Sequence, residues 1–181
     1  GDSLWLDANG DGVQSATESG LSGVTVELFN TGPDGIPGNG DDVSLGTTST
    51  DANGSYLFGA LPAGSYYVDV VSGLPGGLQL TTGSTDPSAL INLSDGQAYL
   101  DADFGYVPDT GTVVLGDTVW YDVDGNGLQD PGEVGIGGVD VVIIDQTTSQ
   151  VVATVTTNPD SSWLATGLAP GTKDVVTVDK T

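Results

Sequence analysis

The chain has 181 residues, with 25 Asp and Glu against 2 Lys, a formal net charge of -23, and no Cys, Met or His. Two bases cannot neutralise a phosphate backbone, which excludes nucleic acid as a partner and argues against an anionic membrane surface. Without Cys or His there is no thiol nucleophile, Ser-His-Asp triad, zinc site or disulfide. No apolar run of about 18 residues is present to insert into a membrane. A charged-then-apolar leader is also missing, which fits a mature protein or an excised piece. The 37% of hydrophobic residues fall in short alternating runs, enough to build packed cores despite the charge.

The pattern predicts strands and no helix. In chain order they are Ser3–Leu6, Val24–Phe29, Val43–Thr50, Ser55–Phe58, Gly64–Val71, Ala89–Asn92 and Ala98–Tyr106. Clusters of Gly, Pro, Asn and Asp separate them, notably Gly10–Gly12, Pro33–Gly40, Ala52–Gly54 and Pro75–Gly77. Further strands are expected at Thr118–Tyr121, Val139–Ile144, Val151–Thr157, Ser161–Ala165 and Val175–Val178.

A repeat sets the domain count. GDSLWLDANGDGVQSATESGLSGVTVEL (Gly1 to Leu28) matches GDTVWYDVDGNGLQDPGEVGIGGVDVVI (Gly116 to Ile143) at a constant shift of 115 residues. The echo continues from Thr50–Val70 to Thr157–Val178. So long a period means duplicated domains. The expected fold is all-β: two tandem antiparallel β-sandwich (Ig-like) domains, 1–108 and 115–181, joined by a polar linker at 109–114. The second is shorter, lacking counterparts of Gly32–Asp42 and of the closing segment ALINLSDGQAYLDADFGY; either it is a reduced version of the fold or the chain stops before the last strands. It should therefore present an unpaired sheet edge to which another chain can add a strand.

Asp7-Ala-Asn9-Gly10-Asp11-Gly12-Val13-Gln14-Ser15-Ala16-Thr17-Glu18 fits a twelve-position calcium loop. Asp7, Asn9 and Asp11 supply oxygens at positions 1, 3 and 5, and Gly12 takes the sharp bend. Val13 supplies its carbonyl, Ser15 stands at position 9, and Glu18 closes the shell. The second copy repeats this with Asp122, Asp124, Asn126, Leu128 (carbonyl), Asp130 and Glu133. Alternating oxygens on one tight turn converge on a point, which suits a hard cation that takes six to eight oxygens. The alternative is that Asp, Asn and Gly here simply make turns. A second candidate comprises Asp34, the Ile36 carbonyl, Asn39, Asp41 and Asp42; a plain Gly/Pro turn is its alternative. A third joins Asp51 and Asn53 to Asp101 and Asp103, on the expectation that alternating strands bring all of them beside the Asp7–Glu18 loop. Asn158 and Asp160 stand at the corresponding place in the second copy. The three tryptophans have apolar neighbours and are expected in the core, and no carboxylate pair sits in a fold deep enough for catalysis.

The run GDxxWxDxNxDGxQ…E…GxxGVxVxL, then TDxNGxYxFxxLxxGxYxV, then DxDFGY resembles the B-type domains of serine-aspartate-repeat (Sdr) adhesins of Gram-positive bacteria, within the wider CnaB-like sandwiches. The resemblance implies a calcium-bound extracellular spacer holding a binding head away from the cell. Its partners would be neighbouring domains or copies of the same protein, with a host or surface ligand unspecified. By motif it extends ligation to Asp7, Asn9, Asp11, Val13 and Glu18, and to Asp122, Asp124, Asn126, Leu128 and Glu133, with bound ions stiffening the loops and the junction between domains. A filament subunit completed by strand exchange and a protein- or glycan-binding module are the competing expectations. Many CnaB-like domains carry a Lys–Asn isopeptide bond. The first domain has no lysine, and Lys173 and Lys180 lie near the end of the second, so none is expected.

Overall fold

The computed structural model describes residues 2–81, 83–172 and 174–178; Lys173 and Lys180 lie outside the described residues. It divides into two compact units, Gly1–Val107 and Pro108–Thr181. Thirteen strands and no helix occur among the described residues.

Unit 1 carries β1 (Asp2–Leu6), β2 (Thr25–Asn30), β3 (Val43–Ser49), β4 (Ser55–Tyr56), β5 (Gly64–Ser72), β6 (Leu78–Leu80), β7 (Ile91–Leu93) and β8 (Phe104–Pro108). They form two four-stranded sheets, ordered β4-β1-β8-β6 and β3-β2-β5-β7. Alternation sends Leu4, Leu6, Phe104 and Tyr106 of the first sheet inward, against Val26, Leu28, Tyr66, Val68 and Ile91 of the second; all are buried. Each such side chain contributes about 1.5–3 kcal/mol by leaving water. Trp5 faces the other way but is equally buried, lying so close over Gly105 that a Cβ there would stand 2.8 Å from its ring.

One pairing departs from the antiparallel expectation: β1 and β8 run parallel, with Leu4, Trp5 and Leu6 opposite Phe104, Gly105 and Tyr106. Strand extents differ as well, β4 stopping at Tyr56 and β7 running from Ile91 to Leu93, and one strand is additional. The closing strand, expected over Ala98–Tyr106, begins only at Phe104, because side chains take over the backbone partners of the preceding segment. Asp2 Oδ1 accepts from the Ala102 amide at 3.1 Å, and Asp103 Oδ1 accepts from the Ser3 amide at 2.8 Å. Strand β6 was not expected, since three residues after Pro75–Gly77 are too short to show a period.

Unit 2 carries β9 (Val113–Thr118), β10 (Asp140–Asp145), β11 (Gln150–Thr156), β12 (Ser162–Leu168) and β13 (Asp174–Val178), in sheets β12-β9 and β11-β10-β13. Val141 and Ile143 of one sheet pack on Trp163, Ala165 and Leu168 of the other. The duplication holds in register. Asp2↔Tyr56 becomes Asp117↔Trp163, and the bridge Trp5↔Gly20 becomes Trp120↔Gly135. The irregularity between Leu28 and Phe29 recurs between Ile143 and Ile144. Unit 2 is thus the β1–β5 framework, with no counterparts of β6, β7 and β8 among the described residues. This explains a displaced strand. β9 ends at Thr118 rather than covering Thr118–Tyr121, because residues 119–121 correspond to the part of β1 that β8 pairs with in unit 1. Asp109–Thr112, within the expected linker, forms a turn closed by Thr112 N–H to the Asp109 carbonyl at 3.0 Å, and β9 starts directly after it.

Gly54 and Gly35 both have positive φ, +75° and +71°, but only Gly54 is enclosed: a Cβ there would lie 2.1 Å from the Leu4 carbonyl oxygen. Gly35→Ala should cost about 1–2 kcal/mol, the left-handed penalty alone. Gly54→Ala should abolish the unit 1 transition in scanning calorimetry and leave that of unit 2 in place.

Candidate metal centres

The loops after β1 and at the equivalent place in unit 2 close on themselves with the same hydrogen bonds but one, the closing glutamate reaching the third position in unit 1 and the second in unit 2. Asp7 Oδ1 accepts from the amides of Gly10 (2.7 Å) and Asp11 (3.2 Å), and its Oδ2 from Gly12 (2.9 Å). Asp122 accepts from Gly125 (2.7 Å), Asn126 (3.2 Å) and Gly127 (3.0 Å) in the same order. At the fifth position Asp11 accepts from Val13 N–H at 2.8 Å and Asn126 from Leu128 N–H at 2.6 Å. Glu18 reaches back to the amides of Asn9 (3.4 Å) and Ser15 (2.9 Å); Glu133 does so to Val123 (2.8 Å) and Asp130 (3.1 Å). Positive φ at Gly12 (+76°) and Gly127 (+77°) makes the bend possible. Val13 and Leu128 both turn their side chains outward, each 66% exposed, which suits positions that serve the loop through the backbone.

The donor set fits a calcium ion. Carboxylate oxygens of Asp122, Asp124 and Glu133 lie within 4.8 Å of one another, about twice a calcium–oxygen distance of ~2.4 Å, so one ion can touch all three. Asp130 joins this side of the loop through Asn126 Nδ2, which donates to it at 2.7 Å and to Asp124 at 3.0 Å. In unit 1 Asn9 replaces one of the acids and donates through Nδ2 to Asp11 at 3.0 Å.

The surroundings of the two loops differ. Asp122 is exposed, whereas Asp7 is fully buried. The Asp7 amide donates to the Tyr106 carbonyl of β8 at 2.8 Å, and the buried Thr81 hydroxyl, just beyond β6, donates to its carboxylate. Burial opposes the Asp7 charge, but the bonds from Thr81, Gly12, Gly10 and Asp11 outweigh it and hold the carboxyl below its ordinary value. Asp122 is lowered by the Gly127, Gly125 and Asn126 amides. No counterpart of Thr81 stands among the described residues of the second copy, so the repeat gave no signal for it.

In the long β2–β3 connection, Asp34 accepts from Ile36 N–H (2.9 Å) and Asn39 Nδ2 (2.8 Å), and Asn39 Oδ1 accepts from Asp41 N–H (3.1 Å). Asp42 Oδ2 accepts from Gly38 N–H (2.6 Å), Asn39 N–H (2.9 Å) and the Tyr67 hydroxyl (2.9 Å). Its Oδ1 is buried with no partner, an oxygen for which a cation would be the natural complement. Tyr67, stacked on Phe29 at 4.9 Å, is the contributor that sequence spacing missed.

The third set does not assemble. β8 starts only at Phe104, opposite Leu4, so Asp101 and Asp103 precede it and stand at the start of β1, the end opposite the Asp7–Glu18 loop. The closing strand runs toward the Asp7–Glu18 end as expected, but the two acids come before its first residue and so stay at the far end. Asp103 is occupied by the Ser3 amide and hydroxyl (3.2 Å). Asp51 caps its own turn, accepting from Asn53 N–H (2.8 Å) and Ser55 N–H (2.9 Å), beside Gly20. Asp160 does the same for Ser162 (3.0 Å), and Asn158 pairs with the Ser162 carbonyl (2.8 Å). Trp5 and Trp163 are buried and Trp120 is half-buried.

A family model described as "SdrD B-like domain" matches residues 1–100 and 113–181. Serine-aspartate repeat-containing protein D of Staphylococcus aureus (strain Newman) is 38% identical over 186 residues, covering 97% of this chain and 13% of the relative. Serine-aspartate repeat-containing protein F of Staphylococcus epidermidis is 36% identical over 186 residues, covering 97% and 10%. The chain therefore spans about an eighth or less of the length of these relatives. Among solved structures, the shaft pilin SpaA of Lactobacillus rhamnosus GG aligns over 98% of this chain and 86% of that one, at 14% identity and a TM-score of 0.43.

Opposite pH responses follow from two carboxyls. Asp7, held low, stabilises unit 1 while ionised; that contribution is present at neutral pH and is lost as pH falls through its depressed value. Asp69 is pushed up by burial and then by the charge and hydrogen bond of Asp86, so its ionisation destabilises unit 1 as pH rises. In calcium-free urea melts at pH 7, Asp7→Asn should lose about 1–3 kcal/mol and Asp69→Asn should gain stability. Both differences should shrink at pH 3.

Proposed function

The chain belongs to the SdrD B-like domain family, and from that premise we propose that it is a calcium-stabilised spacer of an extracellular bacterial surface adhesin, stalk or fibre. Its role on this reading is structural and not catalytic. The observation that carries the proposal is the convergence of Asp122, Asp124 and Glu133 on one point, in a loop whose hydrogen bonds recur around Asp7. Like charges that close destabilise the ion-free loop, and a divalent cation relieves them. An ion also ties the first position of the loop to its twelfth, so the segment between β1 and Gly20 becomes a cross-linked turn. Binding to the folded form alone adds RT ln(1 + [L]/Kd), about 2.7 kcal/mol per site when calcium is 100 times Kd. Extracellular modules with Kd of about 10⁻⁴–10⁻³ M are matched to millimolar calcium. The partly assembled Asp34–Asp42 loop, with its unpartnered Asp42 oxygen, is the supporting candidate for a further ion.

A second reading has one observation in its favour. Residues 119–121 lack among the described residues the parallel partner that β8 gives to β1, so that edge suits a strand donated by another copy in a filament. Fibres in electron micrographs of the purified chain would support it; a monomer in sedimentation at every calcium concentration would remove it.

Thermal unfolding tests the calcium reading. Millimolar calcium should raise the melting temperatures well above those in excess chelator, and coincident curves would overturn the proposal. Glu133→Gln should weaken the unit 2 site and spare unit 1 in terbium luminescence titrations. Thr81→Val should weaken the unit 1 site by about tenfold or more, the usual size of an outer-shell effect, and leave unit 2 unchanged.

A further inference from the structure

Unit 1 contains a cavity of about 310 Å³ between its two sheets, at the low end of the ~300–1,000 Å³ typical of ligand sites. Its apolar walls include Leu28, Tyr66, Val68 and Ile91, with Leu57 and Tyr99 at the rim. Leu57 is 66% exposed, so the mouth is open and greasy. One charged group lines this apolar space: Asp2, 7% exposed, next to Leu4 on the inward face of β1. It accepts a hydrogen bond from the Ala102 amide at 3.1 Å, which leaves a carboxylate with capacity for further donors. The smaller adjoining cavity, about 170 Å³, shares Ile91, Tyr99 and Ala102 with the first and is lined by Asp101 and Asp103. Negative potential therefore gathers at this end of the unit.

A buried carboxylate requires a counter-charge or a full set of donors. No lysine or arginine occurs before Lys173, so no side chain of unit 1 supplies such a cation. A metal ion is a poor match for this space, because a single carboxyl enters it and the remaining lining is hydrocarbon and aromatic. An alkyl stem ending in an ammonium group fits both features: the methylenes take the apolar walls and the nitrogen takes Asp2. We propose that this cavity is a binding site for a lysine side chain presented by another polypeptide, with the Asp2 carboxylate as the partner of its ammonium group. The duplication provides an internal control. Asp117, at the same repeat position in unit 2, is exposed, because no counterpart of the segment before β8 covers it among the described residues. The site does not depend on ion binding at the loops.

The test is an amide NMR titration of the calcium-loaded chain with Nα-acetyl-lysine methylamide and with its neutral analogue, Nα-acetyl-norleucine methylamide. Saturable shifts are expected at residues 57–61 and 97–102 and not around Asp117. The norleucine compound should bind about tenfold or more weakly, since it lacks the charged donor. Asp2→Asn should abolish the difference between the two probes. Equal binding of both compounds would overturn the site by making the cavity merely apolar. No saturable shift with the lysine compound would overturn it outright. Because the probe comparison uses the unmodified chain, neither result depends on how the variant folds.

Discussion

The parallel contact between β1 and β8 fixes much of unit 1. At its start, Asp103 accepts from Ser3 and Asp2 accepts from the Ala102 amide; at its end, the Asp7 amide donates to the Tyr106 carbonyl. The contact closes the core over Leu4 and Phe104, lays Trp5 across Gly105, and brings Thr81 against the carboxylate that opens the loop. Remove that strand and the same loop sequence still folds its own hydrogen bonds, as residues 122–133 do. Its first carboxylate then stands in water. Fold and site are thus coupled in unit 1, and no such coupling stands among the described residues of unit 2.

If the loops hold calcium as proposed, this coupling sets two effects on their affinity against each other. Unit 2 brings Asp122, Asp124, Asp130 and Glu133, one acid more than Asp7, Asp11 and Glu18 bring in unit 1. At an exposed site an added charge about 4 Å from the ion is worth roughly 1 kcal/mol per unit charge, or about 2 against a divalent ion, and it raises the repulsion of the empty loop as well. An outer-shell contact such as Thr81 to Asp7 is worth about 10–100-fold, roughly 1.4–2.8 kcal/mol. The terms are of similar size, and on the proposed reading the penalty in the empty loop would tip the balance toward unit 1. Charge count alone would have ranked the loops the other way.

The loops were legible because twelve consecutive residues determine their geometry, and the second copy shows the same oxygens at the same spacing. The strands β2, β5 and β10 were legible through alternation over five or more residues, and the repeat carried even the bulge after Leu28 into Ile143. What remained hidden depends on distant partners. Nothing local in Asp101–Tyr106 says that its ladder begins at Phe104, since the Ser3 and Asp2 contacts that end the preceding segment are 100 residues away. Thr81 and Tyr67 likewise meet Asp7 and Asp42 only across the fold.

The near absence of bases gives these facts a common cause. In a chain of mixed charge, carboxylates are matched by ion pairs written into the sequence. Here they are matched first by backbone amides: Asp7, Asp51, Asp122 and Asp145 each accept from amides two to five residues onward. Such turns satisfy the oxygens without neutralising the charge, so 25 acids still repel one another against two lysines. The chain's own side chains cannot neutralise them, which is the common ground of the two proposals: metal ions at convergent oxygens, and an organic cation where a lone carboxylate is enclosed by hydrocarbon. On the proposed reading, a chain built in this way would leave part of its stability to the cations around it, a dependence that suits a module of a surface protein.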